Sequence, residues 1–131
     1  MIERSQHPAT VAEYCALRDL TGLGAFSERA STIALDNSLF AVWMRDAGGQ
    51  LIAMGRIIGD GGCFAQVTDI AVHPDFQGRG LGTGVMQALT DWMEQALPTG
   101  CYVSMIADPG AERLYERFGF EPRTGMARTI R

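Results

Sequence analysis

The eight residues Gln77-Gly78-Arg79-Gly80-Leu81-Gly82-Thr83-Gly84 put four glycines at alternating positions just ahead of a helix-like run. A glycine inside a helix costs up to about 1 kcal/mol relative to alanine, so four at a helix entrance need a reason. Such a turn aims several backbone N–H groups at one point, its missing side chains let an anion come close, and the helix dipole adds attraction. The chemistry it serves is phosphate binding. A G-x-x-x-x-G-K-[ST] loop is excluded because Val85 and Met86 follow Gly84, with no lysine. A G-x-G-x-x-G dinucleotide fingerprint also fails, because Thr83 stands where its last glycine belongs.

A few other side chains carry chemistry. Asp69 is a lone charge in the otherwise apolar run from Ala65 to Val72, and Tyr115 lies in a short helical segment near the carboxyl end. His73 has a suitable pKa for base work, but its place before Pro74 reads as a strand exit and turn. His7 lies near the amino terminus, and Glu28 needs no role beyond an exposed helix start. Cys63 and Cys101 sit in apolar strand patterns with no His-Asp arrangement beside them, and are expected to be buried structural thiols. The three cysteines and two histidines lack ligand spacing for a metal and close pairing for a disulfide scaffold.

The elements that would position these groups follow from periodicity and punctuation. Ile2–Arg4 reads as a short strand, and Thr10–Leu20 as a helix with an apolar stripe at Val11, Tyr14, Cys15 and Leu17. Glu28–Leu35 reads as a second helix with Ser27 as its cap. Leu39–Arg45 and Leu51–Ile58 are strand-like and joined by Asp46-Ala47-Gly48-Gly49, a hairpin signal. Cys63–His73 makes the next strand, and its Ala65–Val72 portion reads as central and covered on both faces. After the glycine loop, Leu81, Val85, Met86, Leu89, Trp92 and Met93 form one broad helical face ending near Leu97. Cys101–Ile106 returns to strand, Gly110–Arg117 makes a short helix, Phe118–Phe120 exits into strand, and Thr124–Ile130 finishes the sheet.

With this order in view, Gln77-Gly78-Arg79-Gly80-Leu81-Gly82 resembles the acyl-coenzyme-A-binding motif Q/R-x-x-G-x-G/A of the GNAT N-acetyltransferase superfamily. Asp69-Ile70-Ala71-Val72-His73-Pro74 and Leu114-Tyr115-Glu116-Arg117-Phe118-Gly119-Phe120 resemble its other familiar blocks in the expected order, over roughly Leu51 to Phe120. The resemblance implies an α/β (α+β) GNAT fold in one domain over residues 1–131. Its sheet would be mixed, mostly antiparallel and splayed between strands 4 and 5, with about four flanking helices. It implies acetyl-coenzyme A (acetyl-CoA) as co-substrate and no metal. Ile70, Ala71 and Val72 would pair with the pantetheine arm, and Gln77, Gly78, Arg79, Gly80, Gly82, Thr83 and Gly84 would surround the pyrophosphate.

The implied reaction is direct attack of an amine on the thioester in a ternary complex. It needs a neutral nitrogen near the carbonyl, a donor for the developing oxyanion and a proton for the departing thiolate. The resemblance puts Tyr115 opposite the coenzyme A sulfur as that proton donor. Asp69 would orient the cationic amine or take its proton through water, or is instead satisfied structurally by backbone N–H groups or Arg56. Tyr14, Leu23, Phe26, Phe40 and Trp43 are available to line the acceptor site or to serve as core.

The string from Asp69 to Gly82 looks especially like amino-sugar-phosphate and arylalkylamine-type members, although Thr68 replaces the second acidic residue of the former. The expected acceptor is a primary amine of a small molecule, ahead of protein lysine or an amino terminus. A noncatalytic acyl-CoA-binding or regulatory domain is the alternative of a different class. A homodimer would match habits of similar enzymes, with no interface located.

The bulk composition fits these readings. With 131 residues, 47% hydrophobic and 20% charged, the chain suits one core. A net charge of -4 and no basic tail argue against nonspecific attraction to nucleic acid or anionic membrane. No apolar stretch reaches membrane-spanning length, and the amino terminus lacks the apolar run of a secretory signal, so a cytoplasmic location is the expectation.

Overall fold

Two hydroxyl caps open the helical part of the chain. Thr10 accepts from the Glu13 N–H while Glu13 reaches back to the Thr10 N–H, a reciprocal box that starts α1 (Val11–Leu20). Ser27 accepts from the Ala30 N–H and starts α2 (Glu28–Asp36). The computed structural model describes residues 1–131. β1 (Glu3–Ser5) precedes α1, and after α2 come β2 (Phe40–Arg45), β3 (Leu51–Gly59) and β4 (Phe64–Val72). A single 3-10 turn, Pro74–Phe76, leads through the glycine loop into α3 (Leu81–Ala96), followed by β5 (Tyr102–Ser104) and α4 (Glu112–Glu116).

The five strands form one sheet in the order β1-β2-β3-β4-β5, antiparallel except for the parallel pair β4–β5. The β2–β3 hairpin closes as its sequence demands, with the Asp46 carboxylate accepting from the Gly48 and Gln50 N–H groups at 3.0 and 2.9 Å. Tyr14 and Leu17 of α1 bury one sheet face with Trp43, Met54 and Ala71. Val85, Met86 and Leu89 of α3 bury the other with Val42, Ile57 and Val67. β3 lies at the centre, and every residue from Leu51 to Ile57 is buried. β4 is next to the edge and alternates buried with half-buried residues, so the expectation that it is the strand covered on both faces is corrected in favour of β3. No helix is long and apolar enough to cross a membrane.

Two departures shape the site. β4 pairs β5 only from Phe64↔Tyr102 to Gln66↔Ser104, then continues to Val72 without a partner on that side. The sheet is therefore splayed between its fourth and fifth strands. β4 also carries a bulge: Met54 opposes Ala71 and Arg56 opposes Thr68, leaving Asp69 and Ile70 to face Gly55 alone. The extra residue resets the side-chain alternation. Val67 and, three positions on, Ile70 both pack toward α3, while Asp69 and Ala71 point toward α1.

Gly55 makes the bulge fit. A Cβ there would lie 2.6 Å from Val85 Cγ1 and 2.8 Å from Ile70 Cδ1. Gly55→Ala is expected to lower stability by about 1–3 kcal/mol through overpacking, seen as a lower urea midpoint with an unchanged denaturant slope.

Other sequence expectations are corrected at the carboxyl end. The strand expected over Cys101–Ile106 shrinks to Tyr102–Ser104, and neither Phe118–Phe120 nor Thr124–Ile130 joins the sheet. A segment becomes a strand only where a free edge lies alongside, and the last residues run across a cleft from β5 instead of against it. Cys63 is exposed, because it belongs to the tight turn in which Asp60 accepts from the Gly62, Cys63 and Phe64 N–H groups. Cys101 is half-buried.

Candidate functional site

The glycine loop is held at both ends. His73 Nδ1 accepts from the Asp75 N–H at 3.1 Å, making His73 the cap of the 3-10 turn. The Gln77 side chain donates to the Val72 carbonyl at 3.2 Å, tying the loop to the end of β4. Gly80, at φ +79°, caps α3 from the left-handed region that only glycine enters without strain. From Gly78 to Thr83 no backbone N–H has a backbone acceptor, and no acidic side chain lies in the first turn of α3. The result is a run of outward amides at a positive helix end, the physical requirement for holding an anion.

Gly84 departs from that expectation. Its N–H donates to Gly80 O at 3.0 Å, so its amide belongs to the helix ladder and is not available to a phosphate. Its small size serves packing instead, since a Cβ would sit 3.3 Å from Met44 Cε.

Two cations flank the loop. Arg79 rests over the Phe76 ring at 5.1 Å from its centroid, and Arg117, from the end of α4, donates to Thr83 Oγ1 at 3.4 Å. Sequence reasoning missed Arg117; its signal was a basic residue inside the recognised Leu114–Phe120 block. α4 itself abuts the loop, because a Cβ on Gly82 would meet Leu114 Cδ2 at 3.8 Å and Val72 Cγ2 at 4.0 Å. The start of α3, the end of β4 and the helix carrying Tyr115 thus meet around one glycine.

Strand alternation sorts the three expected β4 contacts. The His73 N–H donates to Ile52 O at 2.7 Å, so it faces β3, and so does Ala71 two residues earlier. Ile70 and Val72 therefore turn their backbone groups to the splayed side, consistent with Gln77 reaching the Val72 carbonyl there. Ala71 is corrected: its backbone belongs to the β3 ladder, and its side chain to the core beside Tyr14.

Asp69 is also corrected. It is 6% exposed, and its carboxylate accepts from Tyr14 Oη at 2.6 Å, from Arg56 Nε at 2.7 Å and from Arg18 Nη1. Arg18 continues to the Leu23 and Gly24 carbonyls and stacks on Phe26, while Arg56 reaches Ser38 Oγ and Ala34 O. Asp69 therefore has both carboxylate oxygens already engaged, by two guanidinium groups and a phenol, within the fold. Its work is to hold φ +59° at the bulge, where it is the one non-glycine residue in the left-handed region. Burial, and then its hydrogen bond to Asp69, push the Tyr14 phenol up to about 12, so Tyr14 is a fixed donor in this cluster. Arg18, Arg56 and Tyr14 were not legible as Asp69 partners apart from the Arg56 alternative.

Tyr115 is half-buried on α4, and burial followed by the charge of Asp108 raises its phenol above the ordinary value. It stays protonated at neutral pH and can donate a hydrogen bond or proton. Of the five aromatic and apolar side chains offered for an acceptor site, Tyr14 and Trp43 are core, Leu23 packs on that core, and Phe40 stacks on Trp92. Phe26 is the exposed one, at 56%. No group of three or more His, Cys, Asp or Glu side chains is arranged to hold a metal ion.

A sequence model of the acetyltransferase (GNAT) family matches residues 8–120. An uncharacterised N-acetyltransferase, ycf52, of Pyropia yezoensis is 34% identical over 91 residues, which cover 67% of this chain and 51% of the relative. The chain spans about half the length of the curated relatives it matches. Among solved structures, a protein of unknown function from meticillin-resistant Staphylococcus aureus, a probable acetyltransferase, superposes with a TM-score of 0.92 at 36% identity over 99% of this chain and 100% of the other. The ribosomal-protein-S18-alanine N-acetyltransferase of Escherichia coli shares the fold at a TM-score of 0.72 and 23% identity, covering 95% of this chain and 80% of its own.

Proposed function

The chain belongs to the acetyltransferase (GNAT) family, and on that premise we propose that it transfers the acetyl group of acetyl-CoA to a primary amine of a small molecule by direct attack in a ternary complex. The observation that carries this reading is the convergence at Gly82, where partnerless amides, the open edge of β4 and the helix bearing Tyr115 lie side by side. The amides of Gly78 to Thr83 hold the pyrophosphate, with Arg79 and Arg117 offsetting its charge. Ile70 and Val72 pair with the pantetheine arm along the splayed edge, as an added strand would. Gln77 fixes that edge to the loop.

In the chemical step the amine nitrogen forms a bond to the acetyl carbon and the carbon–sulfur bond breaks. Tyr115 hydrogen-bonds to the sulfur as its charge grows and supplies a proton, then regains one from solvent. The proton released by the acylated nitrogen passes to water; with Asp69 committed to its arginines, no side chain is assigned as base. The exposed Phe26 ring, beside Arg18, marks the acceptor side of the sheet.

Thiol release from acetyl-CoA, followed with and without a panel of small amines, lysine peptides and peptides with free amino termini, tests this directly. Release that depends on a small amine supports the reading. Tight binding of acetyl-CoA without release to any amine would mean a noncatalytic binding domain, and release only with peptides would move the acceptor to proteins.

Gly82→Leu is expected to weaken acetyl-CoA binding about tenfold or more by titration calorimetry, because the new side chain intrudes on the amide cradle. The neighbours at 3.8 and 4.0 Å leave room for the first carbon, so the melting curve should change little by comparison.

A further inference from the structure

Between β5 and the last residues of the chain lies a cleft of about 690 Å³ that no step of the proposed reaction occupies. Its lining includes the aromatic side chains of Tyr102, Tyr115, Phe118 and Phe120, with Met93 and Met105 beside them. None of the residues from Ile70 to Gly84 lines it, so it is separate from the amide cradle.

The charge of this cleft is one-sided. Glu94 of α3 and Glu112 and Glu116 of α4 line it, and none of the three is ion-paired. Glu112 accepts from the Gly110 N–H at 2.8 Å, which leaves its charge in place. The lining holds one cation, Arg123, and that guanidinium is already bound to Glu121 at 3.1 Å. Three carboxylates around a recess with apolar walls focus a negative potential into it. A buried group points the same way. Thr90 is 8% exposed and lines the cleft, yet its hydroxyl has no hydrogen-bond partner. A buried polar atom left unpaired is destabilising, and an occupant with a donor completes it.

We propose that this cleft is a second ligand site, taking an organic cation: a protonated amine with an aromatic or branched apolar body. The body lies on the aromatic and methionine side chains, where ring faces also attract the positive charge. The ammonium group faces the three carboxylates and donates to the Thr90 hydroxyl. An anion of the same shape is repelled by the same field. Tyr115 lines the cleft too, so a cation held there offsets the negative charge of Asp108 and the glutamates around its phenol. By that contact the occupant makes the phenol a stronger acid. It acts on the transfer step without being the acceptor, which attacks from the side of Phe26. Only this last consequence rests on the acetyl-transfer reading; the site itself does not.

Calorimetric titration of the full chain with N,N-dimethylbenzylamine, without acetyl-CoA, tests the site. This tertiary amine is protonated at neutral pH, and in its neutral form it has no N–H to exchange for an acetyl group, so it is never consumed. Saturable one-to-one binding is expected, with a dissociation constant of about a millimolar or tighter that weakens as salt is raised. Phenylacetate, its anionic counterpart, should not bind. Glu94→Gln/Glu116→Gln should weaken binding by about fivefold or more. Both positions are exposed, so the circular dichroism should be unchanged. Thr90→Val removes a hydroxyl that has no partner to lose. It should melt at or above the wild-type temperature yet bind the amine about tenfold more weakly. A purely structural role would move the melting curve and not the affinity. No binding to the wild type, equal binding of phenylacetate, or undiminished affinity in both variants would overturn the proposal. A wild type that refuses the amine and sediments as a dimer would give the cleft to a second copy and equally overturn it. Thiol release from acetyl-CoA is read separately, so failure here leaves the acetyl-transfer reading standing.

Discussion

Asp69→Ala is expected to lower the stability of the chain by about 3–5 kcal/mol, the cost of removing one partner from a buried charge cluster. Arg18 and Arg56 would keep their positive charges at side-chain exposures of 11% and 6% with no counter-ion. Tyr14 would lose the acceptor of its 2.6 Å hydrogen bond. Equilibrium urea unfolding measures the loss. Two companion variants separate the causes. Asp69→Gly accepts φ +59° without strain yet empties the cluster, and should be nearly as damaging as alanine. Asp69→Asn keeps a left-handed preference and one acceptor oxygen, and should recover part of the difference. If all three variants unfolded at the wild-type urea midpoint, Asp69 would not be the keystone of the bulge. Because the same residue sets which way Ile70 faces, Asp69→Asn should also weaken acetyl-CoA binding while the Gly78–Gly82 loop is untouched.

Tyr115→Phe is expected to reduce kcat by about 10²- to 10⁴-fold, the range for losing a positioned acid. The KM for acetyl-CoA should stay close to the wild-type value, because in the proposed role the phenol acts on the departing sulfur and not on the diphosphate. The sign of the pH effect follows from the raised phenol. A donor whose pKa lies above the ordinary 10 is protonated throughout the neutral range and fails only when pH rises through its elevated value. An alkaline limb in kcat above pH 10 should therefore be present in the wild type and absent from the variant. Full transfer from such a phenol to a thiolate whose parent thiol ordinarily titrates at about 8.5 is uphill, by about 2 kcal/mol or more. A hydrogen bond that strengthens as the sulfur acquires charge therefore carries the stabilisation in the transition state, and the proton follows as the thiol departs. Equal kcat values for the two proteins across the pH range would remove Tyr115 from the chemistry.

The sequence by itself determined whatever depends on a residue and its near neighbours. Thr10 and Ser27 named their helix starts, Asp46 to Gly49 named a hairpin, and alternating glycines ahead of an apolar helix named a turn that leaves backbone amides unpaired at the start of α3. Dihedral preference, caps and period act within a few residues, and the three motif blocks are each local. Tertiary structure alone decided the roles that rest on distant partners. Asp69 looked like a candidate base until Tyr14 and Arg18, 55 and 51 positions away, were found to hold it. Ala71 was drawn into the β3 ladder by a register that the bulge opposite Gly55 sets, and Gly84 into the ladder of α3. The tail, expected to finish the sheet, lies across a cleft from the edge it would join, because pairing requires a neighbour whose position no local pattern records.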